Sequence, residues 1–312
     1  MKAVFLDRGS FPDSIDIELP TLITEVVEYQ NTQSEQVAER IKDADIVLTN
    51  KVVLNEESIA KATSLKLVQV MATGINNVDT AACKKQGITV QNVAGYSINS
   101  VPEHTFSMLL ALKRNLISYI EDVKSGKWSS SEHFCFLDYP IQDLHSTNMV
   151  IVGGGSLGKK VAEISKAFGM KVTFAERKGA KDIRIGYTNF ESALKMADVI
   201  SVNCPLTEDT KNLIGDAEFA LMKPNALLLN ISRGGIVDEN ALLKAFEKQA
   251  IAGAAFDVST QEPMPLDHPL HQLSKYPNFL LTPHIAWASN EAMQKLADIA
   301  LQKITAFVDT IE

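Results

Sequence analysis

The chain has 312 residues, 46% of them hydrophobic, and a formal net charge of −8, enough for two domains with separate cores. The acidic balance, without any basic block, argues against nucleic acid and anionic membrane surfaces as partners. No apolar run nears the roughly 18 residues of a membrane helix, Met1-Lys2-Ala3-Val4-Phe5-Leu6-Asp7 reads as a first strand rather than a signal peptide, and three scattered cysteines, Cys83, Cys135 and Cys204, fit neither a disulfide framework nor a metal set, so a cytoplasmic protein without a metal is expected.

Strand-like runs at 3–6, 45–49, 67–71 and 88–90 alternate with helical stretches, the rhythm of a parallel sheet with crossover helices. Ser100-Val101-Pro102-Glu103 reads as a capping box with proline in the first turn. Thr105, Met108, Leu109, Leu112 and Leu116 then give one long helix a buried stripe. The stretch 125–143 carries Trp128, His133, Phe134, Phe136 and Tyr139, too apolar for a free linker; a subunit contact is the first reading and a self-packed lid the second.

A strand at 149–152 leads into Gly153-Gly154-Gly155-Ser156-Leu157-Gly158, followed by Leu157, Val161, Ile164 and Phe168 at helical spacing. A strand at 171–175 then delivers Glu176, 23 residues after Gly153 and near the roughly 20 of a dinucleotide fingerprint. Gly153 permits the tight turn, Gly155 lets backbone N–H groups approach a pyrophosphate, and Gly158 lets the helix lie close to its strand. A carboxylate at 176 suits the adenosine ribose diol and favours NAD (as NADH) over NADP, while Arg177 and Lys178 beside it weaken that preference. Further strands are expected near 199–202, 226–229, 252–256 and 279–281, and a terminal helix over 289–311 that returns to the first domain.

Three of these strand ends carry chemistry. Arg233 stands in Asn230-Ile231-Ser232-Arg233-Gly234-Gly235, Glu262 lies beyond Phe256-Asp257-Val258, and His284 follows Leu281-Thr282-Pro283. The carboxyl ends of parallel strands open onto a ligand crevice. Reduction of a carbonyl there needs a proton donor, for which imidazole suits neutral pH, and a 2-oxo acid needs a cation for its carboxylate, for which the arginine fork suits best. His268 and His271 read as residues of a solvated loop rather than a metal pair, His104 as satisfying buried backbone, and His133 and His145 as unassigned members of the aromatic loop.

Together, 153–158, Ile231-Ser232-Arg233-Gly234-Gly235, 257–263 and Thr282-Pro283-His284 resemble the D-isomer-specific 2-hydroxyacid dehydrogenases over nearly the whole chain, and within them the glycerate dehydrogenases or hydroxypyruvate reductases. Further phrases carry the narrower likeness: Ala72-Thr73-Gly74-Ile75-Asn76-Asn77-Val78-Asp79, Asp138-Tyr139-Pro140-Ile141, Phe174-Ala175-Glu176-Arg177-Lys178-Gly179-Ala180 and His284-Ile285-Ala286-Trp287-Ala288-Ser289. The resemblance implies an α/β fold of two Rossmann- or flavodoxin-like domains with parallel sheets. Residues 1–99 and 288–312 would form the substrate domain and the inserted 100–287 the NAD-binding domain. It implies Arg233 on the substrate carboxylate and carbonyl, His284 as acid/base, Glu262 holding and polarising His284, and Ala72, Thr73 and Gly74 on the carboxylate. Cofactor contacts would come from Gly153, Gly155, Ser156, Leu157, Gly158, Glu176, Cys204, Pro205, Thr207, Ile231, Ser232, Arg233, Asp257, His284 and Trp287, with Asp257 reaching the nicotinamide carboxamide. A homodimer built on the helix from 100 and the aromatic loop is also implied. The reaction so implied is NAD(H)-dependent interconversion of hydroxypyruvate and D-glycerate, with glyoxylate as a smaller substrate; D-lactate-type or phosphoglycerate-type dehydrogenases and an NAD(H)-sensing corepressor are the alternatives. Two features depart from the family pattern: Gly154 replaces a bulkier residue, and Ser146-Thr147 stands where Gly-Lys is common.

Overall fold

The computed structural model describes residues 1–311 and separates the chain into two compact units, Met1–Ser97 together with the segment from Ala288 onward, and Ile98–Trp287. Both are α/β units built on all-parallel sheets. Among the described residues no helix is long and apolar enough to cross a membrane.

The first unit holds β1 (Lys2–Phe5), β2 (Glu25–Glu28), β3 (Ile46–Thr49), β4 (Leu67–Val70) and β5 (Thr89–Gln91), in the order β2-β1-β3-β4-β5. Every residue of β3 and β4 is buried, as befits parallel strands covered on both faces, and this is why they read as continuous apolar runs. The sequence pattern misses β2, because Glu25-Val26-Val27-Glu28 is an edge strand with mostly exposed side chains and acids at both ends. Helix Asn290–Val308 belongs to this unit. Ser289 caps it by accepting from the Ala292 N–H, Met293, Leu296, Ala297, Ala300 and Ile304 form its buried stripe, and Lys303 Nζ donates to the Asn92 carbonyl at 2.7 Å.

The second unit holds β6 (Asn148–Val152), β7 (Lys171–Ala175), β8 (Tyr187–Thr188), β9 (Val199–Val202), β10 (Leu227–Asn230), β11 (Gly253–Phe256) and β12 (Phe279–Leu281), in the order β12-β11-β10-β9-β6-β7-β8. The chain proceeds outward from β6 in one direction to β8, then returns to β9 and proceeds in the other. This reversal opens a crevice at the carboxyl ends of β6 and β9. Cores line both faces, with Val150, Ile200, Leu228 and Phe256 on one side and Met149, Ile151, Val199, Leu227 and Ala255 on the other. Burying each such Leu or Ile stabilises the unit by about 1.5–3 kcal/mol.

Two local expectations change. Helix Ser100–Lys113 does begin near 100, but Asn99 is its N-cap and makes no side-chain capping bond. The Ser100 hydroxyl instead donates to the Ala286 carbonyl at 2.6 Å, a contact across 186 positions that outcompetes the local capping box. The helix also stops before Leu116: Asn115 takes a left-handed φ of 47°, and a second helix, Leu116–Lys124, leaves Leu116 exposed. Ser146, at the position where glycine is common, likewise takes a positive φ of 64°, and its hydroxyl meets His145 Nδ1 at 2.9 Å.

Candidate active site

The glycine loop sits at the reversal point of the second sheet. A Cβ on Gly153 (φ 107°) would lie 2.7 Å from the backbone of Asn203 and Cys204, and one on Gly158 would lie 2.0 Å from the Gly153 carbonyl, so both glycines are required by close backbone approach. Gly155 is different: its Cβ would project into open space. It is the N-cap of helix Ser156–Ala167, where no side chain caps the helix, and the N–H groups of Ser156, Leu157 and Gly158 have no backbone partner among the described residues. An open cradle of unpaired donors at the positive end of a helix suits a pyrophosphate. These residues fit a bound dinucleotide.

Glu176, at the end of β7, is almost fully buried. Its Oε1 accepts from the Arg177 N–H (2.8 Å) and from Arg184 Nη2 (2.6 Å), and its Oε2 from Arg184 Nε (2.6 Å) and the Arg184 N–H (3.2 Å). The Arg184 fork, helped by the Arg177 N–H, holds this carboxyl down at about 2. The residue expected to await a ribose diol is therefore already engaged, and nothing in the local pattern points to Arg184. Gly154 is explained nearby, since a Cβ there would lie 2.1 Å from the Tyr187 Oη.

After β9, Cys204, Pro205 and Thr207 form the opposite lip. The Cys204 carbonyl accepts from Ser232 Oγ at 2.5 Å, and Thr210 Oγ1 fastens the turn by donating to the Pro205 carbonyl and accepting from the Thr207 N–H. Burial pushes the Cys204 thiol up to about 11, which removes it as a nucleophile at neutral pH. After β10, Asn230 Nδ2 donates to the Arg233 carbonyl (2.9 Å), and Arg233 Nη1 donates to the Ser232 carbonyl (2.8 Å). This leaves the rest of the half-buried Arg233 fork available. Gly234 is obligatory, because a Cβ there would lie 2.0 Å from the Ser259 carbonyl.

Glu262 and His284 meet. Glu262 Oε1 accepts from the Ser259 N–H at 3.0 Å, and Oε2 stands 2.7 Å from His284 Nδ1. His284 has a left-handed φ of 56°, uncommon for a side chain of this size and a form of strain found at functional sites. With Nδ1 turned to the carboxylate, Nε2 has no partner among the described residues.

The loop carrying His284 is held from beneath by Asp257, which is fully buried. Its Oδ1 accepts from Thr282 Oγ1 (2.5 Å) and the Ile285 N–H (2.9 Å), and its Oδ2 from the Ala286 N–H (2.8 Å). Asp257 thus positions residues on both sides of His284, where the sequence pointed to a nicotinamide contact. Since the Thr282 hydroxyl donates to Asp257, it accepts from His104 Nε2 at 2.9 Å. His104 therefore bonds a side chain rather than buried backbone. Trp287 Nε1 donates to the His284 carbonyl at 2.9 Å, and Ile231 is buried at the end of β10.

His268 is a further correction. It is buried, with Nε2 beside Thr260 Oγ1 (2.9 Å) and Glu239 Oε2 (3.1 Å), and with Nδ1 accepting from the Leu270 N–H. The solvated loop expected there is an internal brace. In the first unit, Ala72, Thr73 and Gly74 follow β4, with the Thr73 hydroxyl donating to the Val93 carbonyl (2.9 Å) and Asn92 Nδ2 donating to the Thr73 carbonyl (2.6 Å). Among the described residues, no group of three or more His, Cys, Asp or Glu side chains could hold a metal ion.

Residues 106–286 match the NAD binding domain of the D-isomer specific 2-hydroxyacid dehydrogenases. The chain is 43% identical to the glycerate dehydrogenase of Methylorubrum extorquens, covering 98% of this chain and 96% of that protein. It is 34% identical to the hydroxypyruvate reductase of Blautia hydrogenotrophica, covering 99% and 97%. Among solved structures, a D-lactate dehydrogenase from Aquifex aeolicus complexed with NAD and lactic acid aligns with a TM-score of 0.82 at 27% identity, over 99% of this chain and 96% of that one.

Proposed function

Since the chain belongs to the D-isomer specific 2-hydroxyacid dehydrogenase family, we propose that it reduces hydroxypyruvate to D-glycerate, and glyoxylate to glycolate more slowly, with His284, Glu262 and Arg233 as its working residues. The observation that carries the reading is the His284–Glu262 contact at 2.7 Å with Nε2 left open at the end of β12. The narrower substrate assignment is supported by relatives named glycerate dehydrogenase and hydroxypyruvate reductase that align over almost the full chain.

A reduced nicotinamide dinucleotide supplies the hydride that converts the substrate carbonyl to an alkoxide. Everything else falls to the chain. Arg233 pairs its available N–H groups with the substrate carboxylate and draws the carbonyl oxygen into place. His284 donates the Nε2 proton to that oxygen as negative charge develops, and in the reverse direction Nε2 removes the hydroxyl proton. Glu262 accepts from Nδ1 throughout, which fixes the ring orientation. Asp257 and Thr282 position the loop from which the ring projects. Backbone N–H groups at Ser156, Leu157 and Gly158 hold the pyrophosphate.

A homodimer belongs to the same proposal. Ile117, Ile120 and Val123 on helix Leu116–Lys124, with Trp128, Phe134 and Leu137 on the aromatic loop, are exposed, and exposed apolar side chains on neighbouring segments suit a subunit contact. Light scattering is expected to give about twice the chain mass of 34.2 kDa, and a monomer would reassign the loop as a lid. The substrate assignment is tested by comparing kcat/KM for hydroxypyruvate, glyoxylate, pyruvate and phosphohydroxypyruvate. Hydroxypyruvate is expected to rank first, and pyruvate in that place would move the chain to the D-lactate type.

A further inference from the structure

The ribose end of the dinucleotide site is built as a charge pair rather than as a bare acid. A ribose diol binds a carboxylate by donating to its lone pairs, and a carboxylate offers about four such sites. Glu176 has all four taken, two by backbone N–H groups and two by the Arg184 fork. Its charge is also neutralised by that fork, so the repulsion that a lone acid would exert on a 2′-phosphate is largely absent.

Arg184 is not loosely attached. Its guanidinium carbon lies 3.9 Å over the Tyr187 ring, and the Tyr187 hydroxyl reaches Gly154 of the glycine loop so closely that no larger residue fits there without displacement. Held on one face by Tyr187 and on one edge by Glu176, the side chain remains 55% exposed. A guanidinium carries five N–H donors, and Glu176 occupies two of them, leaving three on the open edge. Arg177 stands beside it, exposed and without a side-chain partner among the described residues. Lys178 is committed elsewhere, at 2.7 Å from Glu218. The open face of the cluster thus presents two arginines, and a pre-oriented guanidinium edge is well suited to a phosphate.

We propose that the Glu176–Arg184 pair, steadied by Tyr187 over Gly154, makes the adenosine end of this site accept a 2′-phosphate, so that the protein takes NADPH as well as NADH, with Arg184 as the specificity-determining residue. The proposal rests on the dinucleotide site described above but not on the identity of the oxo acid.

The test is calorimetry of the full chain with adenosine 5′-monophosphate and adenosine 2′,5′-bisphosphate, neither of which carries a nicotinamide or is turned over. The wild-type protein is expected to bind the bisphosphate at least as tightly as the monophosphate. Arg184→Met should weaken the bisphosphate about tenfold relative to the monophosphate, the size of one lost charge-assisted contact, and Arg184→Lys should recover part of that loss. Because Arg184→Met strands a buried carboxylate, the double variant Glu176→Gln/Arg184→Met removes both charges, and it should show the same relative loss. Tighter wild-type binding of the monophosphate, an affinity ratio indifferent to these substitutions, or no binding of either probe would overturn the proposal. A failed oxo-acid panel with the expected probe affinities would instead overturn only the substrate assignment.

Discussion

Two imidazole–carboxylate pairs of the second unit, His268–Glu239 and His284–Glu262, are bonded differently. His268 uses both ring nitrogens inside the protein: Nδ1 accepts from the Leu270 N–H at the start of helix Pro269–Leu273, so Nε2 carries the proton and faces Thr260 and Glu239. That pair pins the segment after β11 to helix Glu239–Glu247, since Glu239 also accepts from the Thr260 N–H and hydroxyl. His284 uses only Nδ1, on Glu262, and its ring is partly open to solvent. Contact with a carboxylate is common to both. What distinguishes a working imidazole is a second nitrogen kept open where a substrate can reach it.

That distinction is broken or upheld most sharply by replacing each ring. His284→Ala is expected to lower kcat in both directions by about 10²–10⁴, the range for a lost general acid/base, with little change in Tm. His268→Ala should instead remove a brace worth about 1–3 kcal/mol, lowering Tm while the protein that remains folded keeps most of its turnover. Equal losses of turnover at unchanged Tm would erase the difference between the pairs. Arg233→Gln sharpens the same point from the substrate side: kcat/KM for hydroxypyruvate should fall about a hundredfold, consistent with losing a charged hydrogen bond worth about 1.5–3 kcal/mol. Dinucleotide affinity, measured by fluorescence quenching, should stay nearly constant. A comparable loss of dinucleotide affinity would place Arg233 on the cofactor instead.

The smallest expected effect lies at the ribose end, where the Glu176–Arg184 carboxylate–guanidinium pair acts on stability. Glu176 is held at about 2, below its ordinary 4.5, so its stabilising contribution is complete above the ordinary value and is lost as pH falls from there through about 2. The Tm difference between wild type and Glu176→Gln should therefore be largest near neutrality and shrink across that acidic window. A difference that stays constant over the window would show that Arg184 does not hold Glu176 in solution.

Much of this architecture is legible in the sequence because it is written locally. Fully buried parallel strands such as β3, β4 and β9 appear as apolar runs, and the glycine loop is recognisable because strand, glycines, helix and acid occur in order. Arg233, Glu262 and His284 were accessible for the same reason, each following a strand of one parallel sheet. The omissions are contacts that no short window encodes. Ser100 bonds Ala286 rather than capping its own helix, His268 finds Glu239 across 29 positions, and Arg184 reaches Glu176 from a polar loop with no periodicity of its own. The strands β2 and β8 escaped for another reason: one is an exposed edge and the other only two residues long.

The central claim, that His284 with its Nε2 open works with Arg233 to reduce a 2-oxo acid to its D-alcohol, is tested most directly by incubating the purified chain with hydroxypyruvate and reduced dinucleotide and resolving the product by chiral chromatography. D-Glycerate formed in equal amount to the dinucleotide oxidised is the expected result. L-Glycerate, or dinucleotide binding with no glycerate formed, would contradict it.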